Sequence, residues 1–332
     1  MVSVVIIDYK SWERTIKFID DFNSMVSLEG AINFVIVDNS QELLNFEQLT
    51  KWAAKASAPT NAYDVTNRLR KTGGEQLGRV EKALVAELAR GRLLIVKSAE
   101  NGGFAKGNNT GAAAAKELFD DEYIVFSNND ILFPEQLSLE KLISPIKNKG
   151  DVAVSGPRIV GIDGKRQSPY KKLDIWRMHI IPYVLWPVMI PINRLFRKEN
   201  VFTDLDKRER SGYVYRVMGS FMVVSSESFF KAGMFDENTF LYGEEMILSE
   251  RLESIAGRTF YVDECTIVHE HGATTEKSFK YIKTQRIKLD SSLYYYEKYI
   301  GASKFELALA RAGFAIYEKL YFPLKNIVRG RP

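Results

Sequence analysis

Residues 122–133 read Glu-Tyr-Ile-Val-Phe-Ser-Asn-Asn-Asp-Ile-Leu-Phe, and the fold turns on how this stretch is interpreted. Tyr123 to Phe126 is an apolar run rich in β-branched and aromatic residues, long enough for a buried strand and too short for a helix. It runs into Ser127-Asn128-Asn129-Asp130 before apolar sequence resumes at Ile131. Polar residues at the carboxyl end of a buried strand stand where open α/β sheets place ligand chemistry. Asp130 offers a hard anionic oxygen and Asn128 and Asn129 offer amides, a set suited to a divalent cation that bridges a diphosphate. The same tetrad is also good turn chemistry in any protein.

Upstream, Val2 to Ile7 is a nearly continuous β-branched run that ends at Asp8-Tyr9-Lys10, and Ile32 to Val37 is a second run closed by Asp38-Asn39-Ser40. Such runs are the mark of parallel strands covered on both faces. Between them, Ile16, Ile19, Phe22 and Met25 or Val26 recur at helical spacing, which completes a right-handed βαβ unit. Leu43 to Ala56 reads as helix, Pro59 to Thr72 as loop, and Leu77 to Arg90 as a charged amphipathic helix before a third strand, Leu93 to Val96. A glycine-rich run, Asn101 to Gly111, leads into the helix former Ala112 to Phe119. Its glycines permit close backbone approach and its helix N-terminus favours an anion, although a plain β-to-α turn has the same composition.

Downstream, Val152 to Val160 includes a strand, Phe221 to Val224 another, and Phe260 to Val262 and Thr266 to Val268 read as two edge strands. Met246 to Ile255, Phe279 to Ile300 and Lys304 to Tyr321 read as helices. Met178 to Asn193 is uncharged and apolar, interrupted by Pro182, Pro187 and Pro191 and flanked by basic residues. At 16 residues it is shorter than the ~20 a spanning helix needs, which leaves an interfacial loop or a buried irregular segment. Phe305 to Val328 mixes apolar residues with a basic end, as a surface helix at an anionic membrane or a helix packed on the main domain would.

With 332 residues the chain can bury a large core, and its 45% hydrophobic and 27% charged content is that of a globular protein. A net charge of +4 does not argue for nucleic acid but suits an anionic substrate or an acidic membrane surface. One cysteine, Cys265, excludes a disulfide framework, and three histidines make a structural zinc site implausible. The first residues form strand-like sequence without a basic leader, so the expected setting is cytoplasmic, with peripheral attachment to the inner face of the cell membrane as an option.

Taken together, VIIDYK, VIVDNS, NGGFAKGNNTG, VFSNNDILF, GSFMVVSSESFFKAGMFDENTFLYGEE and VHEHGATT, in that order, resemble the family 2 glycosyltransferases of GT-A fold, most closely their rhamnosyltransferase-like branch. The resemblance covers roughly residues 1–300. It implies an α/β fold with a mostly parallel central sheet flanked by helices and a C-terminal helical extension. It implies a GT-A domain over 1–272, with a nucleotide-sugar half at 1–150 and an acceptor half at 151–272, followed by helices at 273–332 that pack on the domain or a membrane surface. It further implies a nucleotide-diphosphosugar donor such as dTDP-rhamnose or a UDP-hexose, a saccharide or lipid-linked acceptor, a divalent Mg²⁺ or Mn²⁺, and inversion at the anomeric carbon.

Carried over residue by residue, the resemblance places Asp38 at the nucleobase or ribose, beside Ile7, Asp8 and Tyr9. Asn101, Gly103, Phe104, Lys106, Gly107, Asn108 and Asn109 would line the donor pocket, together with Asn128 and Asn129. Asp130 would bind the metal, with His269 completing its shell and His271 as the competing histidine. Asn128 stands where many relatives carry a first Asp, which leaves one carboxylate fewer and weaker metal affinity. The family's acidic pair falls on Glu244-Glu245, with Glu245 as the base and Glu244 as its rival; the usual Asp is here a Glu, about one carbon–carbon bond longer. Asp236 and Tyr242 would lie on the acceptor side. The alternative is a non-catalytic sugar-nucleotide-binding or assembly protein that retains the fold.

Overall fold

The computed structural model describes residues 1–56, 62–72, 74–184, 204–270 and 278–321. The strands, in chain order, are β1 (Val2–Asp8), β2 (Val26–Ser27), β3 (Ile32–Asp38), β4 (Tyr63–Asp64), β5 (Val80–Leu88), β6 (Gly91–Ser98) and β7 (Tyr123–Ser127). They continue as β8 (Ile131–Leu132), β9 (Leu137–Ser138), β10 (Val152–Gly161), β11 (Gly212–Val214), β12 (Phe221–Ser225) and β13 (Arg258–His269). Ten of them form one sheet in the order β11-β13-β10-β12-β7-β1-β3-β6-β5-β4, with β8 added on β13; β2 and β9 pair separately.

The centre of the sheet, β7-β1-β3-β6, is parallel, and so is β10-β13; the remaining pairings are antiparallel. The central runs are apolar at nearly every position because both faces of the sheet are covered; the exceptions within them, Ser3 and Asn33, both donate to Asp121. On β1, Val2, Val4 and Ile6 enter one core and Val5 the other; on β3, Phe34 and Ile36 divide from Val35 and Val37 in the same way. The helix Trp12–Met25 covers the first face through Phe18, Ile19 and Phe22, and Phe22 meets the rings of Phe18, Phe34 and Phe133. Truncating such a fully buried ring to alanine costs about 3–5 kcal/mol.

Three expectations from sequence need correction. The stretch Leu77 to Arg90 is not a helix: a short helix, Gly74–Gly78, gives way to β5, which pairs antiparallel with β6. Its Glu, Lys, Ala and Leu residues favour helix locally, and pairing with an exposed sheet edge outweighs that preference. The stretch assigned to a loop contains the helix Thr66–Thr72, whose Leu69 is buried. The two edge strands near the C-terminal part are one strand, β13, lying between β10 and β11, with a register irregularity opposite Pro157 and Arg158.

The chain divides into two compact units. The sheet belongs to Met1–Tyr170 with Lys207–Ala273, and the second unit comprises Lys171–Asp206 with Thr274–Pro332. The apolar segment Met178 to Asn193 thus falls in the second unit, although residues 185–193 of it lie outside the described residues. The described part of this unit is helical: Trp176–Ile180, Ile181–Val184, Ser278–Tyr295, Tyr296–Ile300, Lys304–Ile316 and Tyr317–Tyr321. Among the described residues, no helix is long and apolar enough to cross a membrane.

Candidate functional site

Parallel pairing of β7, β1 and β3 brings their carboxyl ends to one place, and a polar network ties them together. Asp8 lies opposite Asp38 in the β1–β3 register. One side chain serves both: Asn45 Nδ2 donates to Asp8 Oδ1 at 2.8 Å and to Asp38 Oδ1 at 3.0 Å. Asp8 also accepts from Thr15 Oγ1 and from the backbone N–H of Ser11 at 3.1 Å. From the β7 side, Asn129 Nδ2 reaches Ser11 Oγ and Thr15 Oγ1, each at 2.8 Å.

Asp38 is fully buried, and burial is the largest influence on its carboxyl, holding its pKa above the ordinary value against the opposing pull of Ser40 and Lys97. Lys97 is buried with it, its Nζ 3.6 Å from Asp38 Oδ2 and bonded to the Ser40 carbonyl. Removing one member of such a pair strands the other charge, at a cost of about 3–5 kcal/mol. Asp8 and Asp38 therefore lie in the floor of the site with protein partners, while Ile7 is half-buried and Tyr9 exposed at the strand end.

A second corner forms where β8 pairs with β13. The register sets Ile131 opposite His269, and Glu270 N donates to the Asp130 carbonyl at 2.9 Å. This places His269 Nε2 3.2 Å from Asp130 Oδ1. On the far side of the ring, Nδ1 lies 2.8 Å from Gln167 Oε1, which fixes the imidazole orientation. Burial pushes the Asp130 carboxyl up, but the adjacent His269 imidazole, helped by Arg14, outweighs it and leaves it below its usual range. Among the described residues no group of three His, Cys, Asp or Glu side chains gathers. Asp130 and His269 offer one carboxylate oxygen and one imidazole nitrogen side by side, two ligand types that a divalent cation accepts. His271, the competing histidine, lies outside the described residues.

The glycine-rich loop acts as a clasp. The helix Gly103–Leu118 begins inside it, and its first two N–H groups are already engaged: Gly103 N donates to Asn101 Oδ1 at 3.1 Å and Phe104 N to the Phe240 carbonyl at 3.0 Å. Gly103 has φ 75°, and a Cβ there would collide with that carbonyl, so the close approach demands glycine. Asn39 Nδ2 holds the Gly103 carbonyl at 3.1 Å. Asn108 and Asn109 are buried; Asn108 donates to the Phe104 carbonyl, whereas Asn109 brackets the other side of the site. Its Nδ2 donates to Phe235 O and Glu237 Oε1 at 3.0 Å, and its Oδ1 accepts from Phe235 N at 3.1 Å. Arg79 completes the bracket with a 2.9 Å ion pair to Glu237. Gly107 is buried against Ile7 and Asn39, while Lys106 is partly exposed and pairs with Glu100 at 3.2 Å. Asp236, read as an acceptor contact, is buried, accepting from Asn238 N and Nδ2 and lying 3.3 Å from Arg251.

Tyr242 (φ 69°) and Gly243 (φ 92°) turn the chain sharply into the helix Glu244–Glu253, so that both acids occupy its first turn. The helix N-terminus favours negative charge there. The two carboxyls diverge. Glu245 is half-buried, and its Oε1 accepts the Gly219 N–H at 2.8 Å. A Cβ on Gly219 would come within 2.7 Å of that oxygen. Glu244 is 2% exposed, its Oε1 has no hydrogen-bond partner, and burial first, then the charge of Glu245, pushes its pKa up to about 8.

Gly219 and Ser220 link this acidic pair to the strand end where the reading began. Asn128 N donates to the Ser220 carbonyl at 2.9 Å, and Phe221 lies opposite Ser127 in the β7–β12 register. Asp130 and Glu245 accordingly flank one short stretch of backbone. Gln167, Thr15, Asn45, Arg79 and the Gly219 amide were not singled out from sequence. Their types are common and their partners lie far along the chain; only Lys97, a charge ending the apolar run Leu93 to Val96, carried a visible flag.

Residues 80–229 match the family described as Glycosyl transferase family 2. Over 171 residues the chain is 28% identical to rhamnosyltransferase WbbL of Escherichia coli K12, an alignment that takes in 50% of this chain and 60% of that protein. Over 169 residues it is 27% identical to the N-acetylglucosaminyl-diphospho-decaprenol L-rhamnosyltransferase of Mycobacterium tuberculosis H37Rv, covering 49% of this chain and 52% of that protein. The aligned region thus spans little more than half the length of these curated relatives. Among solved structures, the fold resembles the mannosyltransferase PcManGT of Pyrobaculum calidifontis in complex with GDP-Man and Mn²⁺, with a TM-score of 0.52 at 13% identity over 99% of this chain and 79% of that one. It also resembles GalNAc-T7 with UDP, GalNAc and Mn²⁺, with a TM-score of 0.51 at 13% identity over 100% of this chain and 58% of that one.

Proposed function

We propose that the chain, whose residues 80–229 match Glycosyl transferase family 2 and whose fold resembles solved glycosyltransferases, moves a sugar from a nucleotide diphosphosugar to a saccharide or lipid-linked acceptor with inversion at the anomeric carbon. The observation that carries this reading is the pairing of two unlike corners across Asn128 and Ser220: Asp130 with His269 on one side, Glu245 on the other. Glu245 is the base. The Gly219 N–H anchors one carboxylate oxygen, and the half-buried side chain keeps access to the site. Glu244, buried and holding its proton to about pH 8, adds no second negative charge at neutral pH.

In the transfer, Glu245 takes the proton of the acceptor hydroxyl as that oxygen bonds to the anomeric carbon from the face opposite the diphosphate. The bond from the anomeric carbon to the phosphate oxygen breaks, and the nucleoside diphosphate leaves with the electron pair. Asp130 and His269 would hold a Mg²⁺ or Mn²⁺, which when bound supplies Lewis-acid stabilisation to the leaving diphosphate. Gln167 keeps the His269 ring turned toward Asp130. The names of the rhamnosyltransferase relatives favour a nucleotide-activated rhamnose such as dTDP-rhamnose as donor, with a UDP-hexose as the other option. A lipid-linked acceptor would set the reaction at the inner face of the cell membrane.

A donor panel screened by thermal shift with Mg²⁺ or Mn²⁺ tests the reading, because a bound donor raises the melting temperature by mass action. One donor is expected to stabilise the protein and to be turned over, with nucleoside diphosphate released and an inverted glycosidic linkage formed. Binding of a donor with no release of nucleoside diphosphate, for any acceptor tried, would leave a sugar-nucleotide-binding protein instead.

A further inference from the structure

The helix Lys304–Ile316 has two apolar faces where an ordinary surface helix has one. Leu307, Ala310, Gly313 and Phe314 recur at helical spacing and are buried. The opposite face carries Phe305, Ala308, Ala312 and Ile316, all exposed, and the following turn adds Leu320. Phe305 is 70% exposed, Ile316 51% and Leu320 55%. Single exposed apolar residues are commonplace, but here they line one helix face over about four turns of sequence. Trp176 joins them at the N-terminal end: its indole N–H donates to Glu306 Oε1 at 2.8 Å while 42% of the residue remains exposed.

Charge around this face is of one sign. Lys304, Arg311 and Lys319 are exposed beside it. The two acids of the segment are turned to other work. Glu306 closes a capping box with Ser303 and receives Trp176; Glu318 pairs with Arg286 at 2.7 Å. The bias extends to the whole second unit, which has 18 Lys and Arg against 9 Asp and Glu, whereas the sheet-bearing unit has 28 against 33. Beyond Tyr321 the sequence continues with Lys325, Arg329 and Arg331 among apolar residues.

We propose that the outward face of the helix Lys304–Ile316, from Phe305 to Leu320, docks flat on an anionic lipid bilayer, with Phe305, Ile316 and Leu320 entering the headgroup–acyl boundary and Lys304, Arg311 and Lys319 meeting lipid phosphates. Complementary charge selects this occupant: an aliphatic face alone would suit another protein, but a basic rim without a free acid suits a surface of fixed negative charge. Trp176 has the amphipathic ring that favours the same boundary. No helix of the described residues spans a bilayer, so this contact would be interfacial. It shares the lipid-linked acceptor with the function proposed above, yet it is tested without donor or acceptor, so either can fail while the other stands.

The test is co-sedimentation of the full chain with vesicles of phosphatidylcholine alone or with a phosphatidylglycerol fraction. Binding is expected only to the anionic vesicles and should weaken as salt rises. The triple variant Lys304→Gln, Arg311→Gln, Lys319→Gln should lower the partition coefficient on the order of a hundredfold. The variant Phe305→Ser, Ile316→Ser, Leu320→Ser should lower it even where the charges remain, with an unchanged thermal midpoint showing that both variants fold. No binding to anionic vesicles, or full binding by both variants, overturns the proposal. So does a dimer in lipid-free solution that the serine variant dissolves, since a second copy would then cover the face.

Discussion

In the sheet-bearing unit acidic side chains outnumber basic ones by five, whereas in the helical unit basic side chains are twice as numerous as acidic ones. Each unit also buries a side chain whose charged form is disfavoured by loss of water, and the two are of opposite kind. The sheet unit seals Glu244 at the start of a helix, with its pKa raised to about 8. The helical unit seals His179 between the rings of Tyr183 and Tyr296, at 5.9 Å and 5.8 Å, both its nitrogens without hydrogen-bond partners, and burial lowers its pKa to about 4. In both places the charged form would lose its hydration. The difference lies in purpose. Glu244 stands beside a carboxylate that the proposed chemistry uses, while His179 is surrounded by aromatic packing.

The opposed groups predict opposed responses to pH, and the largest expected effects come from the sheet unit. Glu245→Gln should lower transfer about a thousandfold with donor affinity retained, the range expected for removal of a general base. Steady-state kinetics beside calorimetric donor titration would show the split. Asp130→Ala should cost on the order of a hundredfold in metal-dependent donor binding, read by calorimetry with and without Mn²⁺. Equal affinities under all conditions would remove the cation from that corner.

Next in size is a pair of stability effects. Glu244 binds its proton more tightly folded than unfolded, so it favours the folded state below about pH 4.5 and that contribution fades as pH climbs toward 8. Glu244→Gln should flatten the decline and leave the variant the more stable protein above pH 8, measured by urea unfolding across pH. His179 behaves inversely: its folded pKa is depressed, so its contribution is intact above about pH 6.5 and is lost as pH falls through 4. His179→Phe should remove that acid-side loss, worth about 2 kcal/mol near pH 4, without changing transfer at neutral pH. If one variant altered both limbs of the pH curve, the two groups would not be independent. Smallest of all, Gln167→Ala should weaken metal affinity about tenfold by freeing the His269 ring, and restoring the acceptor with Glu should recover part of it.

Much of the catalytic half was legible because its chemistry is local. Strand, polar tetrad and strand end are contiguous at residues 122–133, and the acidic pair is adjacent in sequence. Asp130 and His269, 139 positions apart, were named together through the family resemblance, and the pairing of β8 with β13 is what joins them in space. What the sequence did not show at these strand ends is burial: Asp8 and Asp38 are both buried, Asp8 accepting from Thr15 and Asn45 and Asp38 accepting from Asn45 and paired with Lys97. Val80–Leu88 was misread because its composition suits a helix, and a sheet edge in need of a partner is invisible from within the segment.

The order of apolar runs and glycines by itself determined the parallel centre of the sheet, since period and length leave little choice for residues buried on two faces. Tertiary structure alone decided which acid is half-buried and which is sealed, because two neighbours on one helix turn point a hundred degrees apart. It also decided that Lys304–Ile316 leaves an apolar face outward, for the hydropathy of a helix records how much apolar surface it has and not which part its neighbours cover.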